Sequence, residues 1–79
     1  MPRTQPTLKL QGVIRRLVRD RGFGFIGYRD ARDVHQEVFF HRSALTNVRF
    51  EMLTEQDTVE FTINANAQKG PRAEEITKL

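Results

Sequence analysis

Residues 22–26 read Gly-Phe-Gly-Phe-Ile and residues 38–41 read Val-Phe-Phe-His, and these two segments decide how the chain folds. Side chains alternate across a β-strand, so Phe23 and Phe25 share one face of the first segment. By the same alternation, Phe39 and His41 share one face of the second. The opposite faces carry enough apolar volume to fill a core, namely Ile26, Val38 and Phe40. The pattern therefore predicts two strands with their remaining rings exposed, and exposed rings beside basic side chains suit unpaired bases.

Basic charge is concentrated around the first of these segments. Residues 1–29 hold seven Lys or Arg against the single acid Asp20, a net charge of +6, which leaves −3 for residues 30–79 of the total of +3. A charge run alone is more often a solvated face. Here the run from Arg15 to Arg21 leads directly into Gly22, so the cations lie close to the aromatic rings. That combination favours a polyanionic partner.

Length and composition exclude several other classes of protein. The 79 residues make one domain, and the chain has no cysteine for a disulfide or a thiolate metal site. Two histidines alone make a poor metal site, so we expect no metal and no cofactor. No apolar run is long enough to span a membrane, and residues 1–7 lack the apolar stretch of a signal peptide. We expect a soluble cytoplasmic protein, with a flexible tail over residues 1–8 and one domain over 9–79.

The remaining chain consists of short strands separated by turn signals, with no sustained helical period. Strand 4 alternates, with Val59, Phe61 and Ile63 inward and Glu60 and Thr62 outward. Strand 1 contains adjacent apolar pairs, which predicts a bulge or bend near Gly12. Five short strands at this spacing predict a small all-β barrel. The predicted strands cover residues 10–18, 22–28, 37–41, 58–63 and 72–77.

The order of motifs resembles the cold-shock domain family. Arg-Gly-Phe-Gly-Phe-Ile at 21–26, followed by Val-Phe-Phe-His-Arg-Ser-Ala at 38–44, is similar to the two ribonucleoprotein motifs of that family, and the likeness extends over about residues 10–79. The resemblance implies a five-stranded antiparallel barrel of the oligonucleotide-binding (OB) type. It also implies a non-enzymatic protein that binds single-stranded RNA or DNA with low sequence preference and acts as an RNA chaperone or a regulator of transcription or translation.

Transferring the family's binding positions residue by residue gives a set of expected contacts. The stacking rings match Phe23, Phe25, Phe39, His41 and Phe50, and the basic contacts match Arg15, Arg21 and Lys69. The chain departs from the family on strand 1, where Arg16 replaces the usual tryptophan. Arg42 stands where many members have a further aromatic. The loop over residues 29–36 is longer than in the short bacterial members. We therefore include Arg16 and Arg42 in the site. We expect electrostatic contacts to supply a larger share of the binding free energy than in other members of the family.

Some of these residues have a structural alternative. Phe50 lies in a loop, and its alternative to base stacking is hydrophobic packing beneath that loop. The alternative for His41 is a structural role, with its ring hydrogen-bonded within the protein. A different function also stays open, a barrel that docks on a protein or the ribosome through the same exposed rings. An enzyme is the weakest option, because the paired carboxylates lack a convergent acid, base or metal. We expect no membrane or small-molecule partner and favour a monomer.

Overall fold

The computed structural model describes residues 9–64 and 70–79, and these residues form an all-β domain. The strands are β1 (Leu10–Val18), β2 (Phe23–Arg29), β3 (His35–His41), β4 (Thr58–Asn64) and β5 (Arg72–Lys78). Each predicted strand is present, with ends that differ from the prediction by at most two residues. Two single 3₁₀ turns, Arg42–Ala44 and Phe50–Met52, lie between β3 and β4. The predicted tail over residues 1–8 lies outside the described residues.

The five strands close into a barrel in the order β1-β2-β3-β5-β4. All pairings are antiparallel except that of β3 with β5, which run parallel and pair at Phe39 and Arg72. A second parallel bridge joins Leu45, just after the first 3₁₀ turn, to Ile76. The predicted antiparallel OB-type barrel is therefore confirmed, with one parallel junction where the barrel closes. The described part of the chain has no helix long and apolar enough to cross a membrane.

Apolar side chains from all five strands fill the barrel interior. Ile26, Val38 and Phe40 point inward, as the alternation of β2 and β3 predicted. The second 3₁₀ turn also contributes to the core, since the Phe50 ring packs on Phe40 with centroids 6.5 Å apart. Each core residue is at most 6% exposed, and the set comprises Ile14, Ile26, Val38, Phe40, Phe50, Leu53, Val59, Phe61, Ala73 and Ile76.

The irregularity of β1 lies at Arg15, so the predicted position near Gly12 was wrong. Gly12 pairs in register with Tyr28, whereas the register shifts between Ile14 and Arg16. Two residues of β1 advance against one of β2 at this point, which is the definition of a bulge. Gly12 instead permits close strand approach, because a Cβ there would lie 2.5 Å from the Gly27 carbonyl oxygen.

Strand β4 follows its predicted alternation only in its first half. Val59 and Phe61 are fully buried as expected. Thr62, predicted to face outward, is 8% exposed, and its hydroxyl donates to the Glu74 carbonyl at 3.2 Å. The register of β4 with β5 shifts between Glu60 and Thr62, at which β5 carries an extra residue. The bulge therefore lies in β5, where Glu75 has a φ of +53°, and it bends that strand next to Thr62.

Candidate nucleic-acid interface

Three phenylalanine rings lie together on the outer face of β2 and β3. We call Phe23, Phe25 and Phe39 the aromatic strip. The Phe23 and Phe39 centroids are 5.4 Å apart, and Phe25 lies 6.1 Å from each of the other two, edge to face. All three rings are partly exposed and lie outside the core cluster. Each ring therefore has two aromatic neighbours to fix its orientation and a side left open to solvent.

Gly24 explains why the strip faces outward. It lies between Phe23 and Phe25 in sequence and faces the barrel interior, where a Cβ would lie 2.5 Å from the Arg16 carbonyl oxygen and 2.8 Å from the Phe40 ring. The absence of a side chain leaves room for Phe40 beneath the sheet. The Gly-Phe-Gly-Phe pattern thus places no large side chain of β2 on the inner face at this point, and the Phe40 ring fills that space.

The β1 bulge brings two consecutive arginines to the outer face. Arg16 pairs with Phe25, and directly opposed residues of an antiparallel pair share a face. The Arg15 stem lies over Gly27, where a Cβ would come within 2.7 Å of its Cγ. Gly27 follows Phe25 by two residues and so belongs to the same face. Regular alternation would have turned one of the two arginines away from the aromatic strip.

The turn between β1 and β2 brings further cations to the Phe23 end of the strip. Arg16, Val18, Asp20, Arg21, Phe23 and Phe25 line an open depression there. Gly22, at φ +74°, supplies the left-handed conformation that ends this turn. The Arg42 side chain packs beside Gly22, and its backbone N–H donates to the Gly22 carbonyl at 2.9 Å. The structure therefore places Arg21 and Arg42 near the aromatic strip.

His41 lies beside the strip, because it pairs with Phe23. Its Nδ1 accepts a hydrogen bond from the Ser43 backbone N–H at 3.2 Å and lies 2.9 Å from the Ser43 hydroxyl. A backbone N–H can only donate, so in the neutral ring the proton sits on Nε2. The structural alternative for His41 holds in part, since the ring caps the first 3₁₀ turn. The same contact leaves Nε2 as a donor at the edge of the outer face.

The prediction that Phe50 stacks a base is wrong. Its side chain is 6% exposed and belongs to the core, where it packs on Phe40. The second 3₁₀ turn begins at this residue and buries its ring, while Met52 in the same turn is left exposed. A buried ring has no face to offer a base. Lys69, the other predicted loop contact, lies outside the described residues.

The longer loop after β2 forms a compact turn over residues 30–34. The Asp30 carboxylate accepts hydrogen bonds from the Arg32 and Val34 backbone amides at 2.9 and 3.0 Å and from the Gln36 amide at 3.1 Å. The Val34 hydrogen bond is the largest cause that lowers the pKa of Asp30 to about 2. Arg32 pairs with Asp30, and Arg29 with Asp33. Because its arginines are already paired, this turn adds little free positive charge.

Sequence reasoning missed Arg72 as a neighbour of the strip. It begins β5 and pairs with Phe39 across the parallel junction. The following residue, Ala73, is fully buried, so alternation places Arg72 on the outside. The alternation of strand 5 was visible in the sequence, but its pairing with β3 was not.

Comparison with known proteins agrees with this architecture. The family model of the 'Cold-shock' DNA-binding domain matches residues 10–79. Cold shock-like protein CspLB of Listeria monocytogenes is 40% identical over 68 residues, which cover 86% of this chain and 96% of that protein. Cold shock-like protein CspI of Escherichia coli K12 is 38% identical over 71 residues, covering 90% and 96%.

The solved structure of drosophila Unr CSD456 superposes with a TM-score of 0.68 at 29% identity. The match covers 92% of this chain and 27% of that longer one. The barrel, the family match and the curated relatives all lead to the same assignment. This chain belongs to the cold-shock domain family, whose members are non-enzymatic proteins that bind single-stranded nucleic acids.

Proposed function

We propose that this protein binds single-stranded RNA or DNA with low sequence preference, by stacking bases on the aromatic strip while arginines contact the phosphates. The observation that carries the proposal is the three-ring contact on the outer face of β2 and β3, with centroids 5.4 to 6.1 Å apart. Arg15 and Arg16 border this surface on β1. Rings provide faces for unpaired bases, and guanidinium groups provide charge for the backbone.

Low sequence preference follows from the chemistry of these side chains. Every base has a π face, so stacking on phenylalanine discriminates weakly, and phosphate contacts carry no base information. Phe23, Phe25 and Phe39 offer no hydrogen-bonding atom in their side chains. His41 Nε2 is a polar donor at the edge of the strip, and it supplies at most a modest preference.

Arg16 shifts the balance of binding toward charge. It lies directly opposite Phe25, so its guanidinium can stack on a base or contact a phosphate. Stacking on a ring contributes about 1–3 kcal/mol per base, and salt does not screen it, whereas phosphate contacts weaken steeply as salt rises. We therefore expect this domain to depend on salt more strongly than a relative with an aromatic at the same position.

A protein that binds only unpaired bases also opens weak base-paired structures. Binding to the open form and not to the paired form shifts that equilibrium by mass action. With low sequence preference, this effect extends over many hairpins. The resulting role is that of an RNA chaperone or a regulator of transcription or translation.

A binding experiment with three ligands tests the proposal. A labelled pyrimidine-rich strand, the same strand as a duplex, and an abasic strand of equal length are titrated by fluorescence anisotropy at two salt concentrations. The base-bearing single strand should bind most tightly, and its advantage over the abasic strand should persist at high salt. Equal binding of all three would reduce the interaction to backbone charge. No binding of any ligand would favour the alternative, in which the strip docks on a protein.

A further inference from the structure

One row of residues crosses four strands of the barrel in register. Arg16 pairs with Phe25, Phe25 with Phe39, and Phe39 with Arg72. We call these four residues the cross-strand row. Neighbouring strands lie about 4.7–4.9 Å apart, so the row extends about 14–15 Å between its terminal Cα atoms. It places two rings side by side with a guanidinium at each end.

The Arg72 guanidinium is not engaged by the rest of the described structure. Its Nε is buried and has no hydrogen-bond partner among the described residues. The guanidinium always carries its charge, so this charge remains available to an anionic group that approaches the outer end of the side chain. The Glu74 carboxylate, on the same side of β5, accepts a hydrogen bond from the Asn64 amide at 3.2 Å. Glu75 is exposed next to it, and across residues 9–64 and 70–79 no ion pair of Arg72 is found.

We propose that Arg72 is a further nucleic-acid-binding residue, which contacts the phosphate on the β5 side of the base stacked on Phe39. The proposal rests on the proposed function, since it requires bases on Phe25 and Phe39. Two bases on adjacent rings are joined by one phosphate, and the phosphates outside them meet Arg72 at one end of the row and Arg16 at the other. The row is thus built for a dinucleotide step together with both of its outer phosphates.

Salt dependence of single-strand binding tests this role. The logarithm of the binding constant falls as log salt rises, and Arg72→Gln and Arg16→Gln should each make this slope shallower by about 0.7, the value for one phosphate contact on a single strand. Arg72→Gln should also weaken binding about tenfold at low salt. Arg72→Lys should keep the slope and lose part of the affinity, because the charge remains and the planar fork is lost. Arg32→Gln, the same charge change in the 30–34 turn, should leave the slope unchanged.

The outcomes separate this inference from the proposed function. If Arg72→Gln keeps the wild-type slope and affinity while Phe25→Ala weakens binding, the row ends at Phe39 and the inference is overturned. If Arg32→Gln lowers the slope as much as Arg72→Gln, the effect is general charge and the inference also fails. If the wild-type protein does not bind the single strand, the proposed function itself is wrong.

Discussion

Replacing Phe39 with alanine should weaken single-strand binding strongly while leaving the domain folded. Loss of one stacking ring costs about 1–3 kcal/mol. Phe39 contacts both other rings of the aromatic strip, at 5.4 and 6.1 Å, so its removal also frees Phe23 and Phe25 to move. We therefore expect the upper half of the range, about 30- to 150-fold weaker binding by fluorescence anisotropy. The stability cost, from partly exposed aromatic contacts, should be about 1 kcal/mol.

Phe40, the next residue, is the matched control because it faces the other side of the same strand. It is 0% exposed, so Phe40→Ala should cost about 3–5 kcal/mol of unfolding free energy, a large part of what a domain of this size possesses. The milder Phe40→Leu should fold and bind the oligonucleotide as the wild type does. The reasoning is refuted if Phe39→Ala unfolds as readily as Phe40→Ala, or if it stays folded and binds normally.

Three further predictions concern the β1 bulge, the core and the turn over residues 30–34. Arg16→Trp should bind more tightly at high salt with a shallower salt slope, because an unscreened ring replaces a cation; weaker binding at every salt concentration would contradict this. Phe61→Ala should lower the unfolding free energy by about 3–5 kcal/mol, and native thermal stability would contradict the β4 register. The Val34 amide and neighbouring donors hold the pKa of Asp30 at about 2, below its usual value of 3.8. This carboxylate therefore stabilises the fold above about pH 4 and loses that effect as pH falls toward 2. The Asp30→Asn variant should be less stable than the wild type near pH 7, and its unfolding free energy should change less between about pH 4 and pH 2 in an acid titration.

The sequence predicted the features that depend on local alternation. The inward set Ile26, Val38 and Phe40 and the outward rings follow from the two-residue period of a strand, which neighbouring side chains on the same segment determine. The adjacent apolar pairs of strand 1 indicated an irregularity. They could not locate it, because adjacent apolar residues do not specify which residue of the strand is left unpaired, and only the β1–β2 register does so.

The features that the sequence did not predict depend on contacts between distant segments. Burial of Phe50 depends on the path of the chain between β3 and β4, which brings its ring against Phe40. The position of Arg72 is set by the parallel junction of β3 with β5, which joins residues far apart in the chain. Neither contact leaves a periodic signal. The composition of each segment is compatible with the observed arrangement and with others.

The most direct test of the account uses the six phenylalanines of the chain, which divide into three on the strip and three in the core. In the protein labelled with ¹³C at phenylalanine, NMR spectra are recorded as a pyrimidine-rich single strand is added. Stacked bases should shift the ring signals of Phe23, Phe25 and Phe39 through their ring currents, while those of Phe40, Phe50 and Phe61 stay in place. Binding without movement of the three strip signals, or with shifts concentrated on the core rings, would contradict the claim that this surface stacks bases.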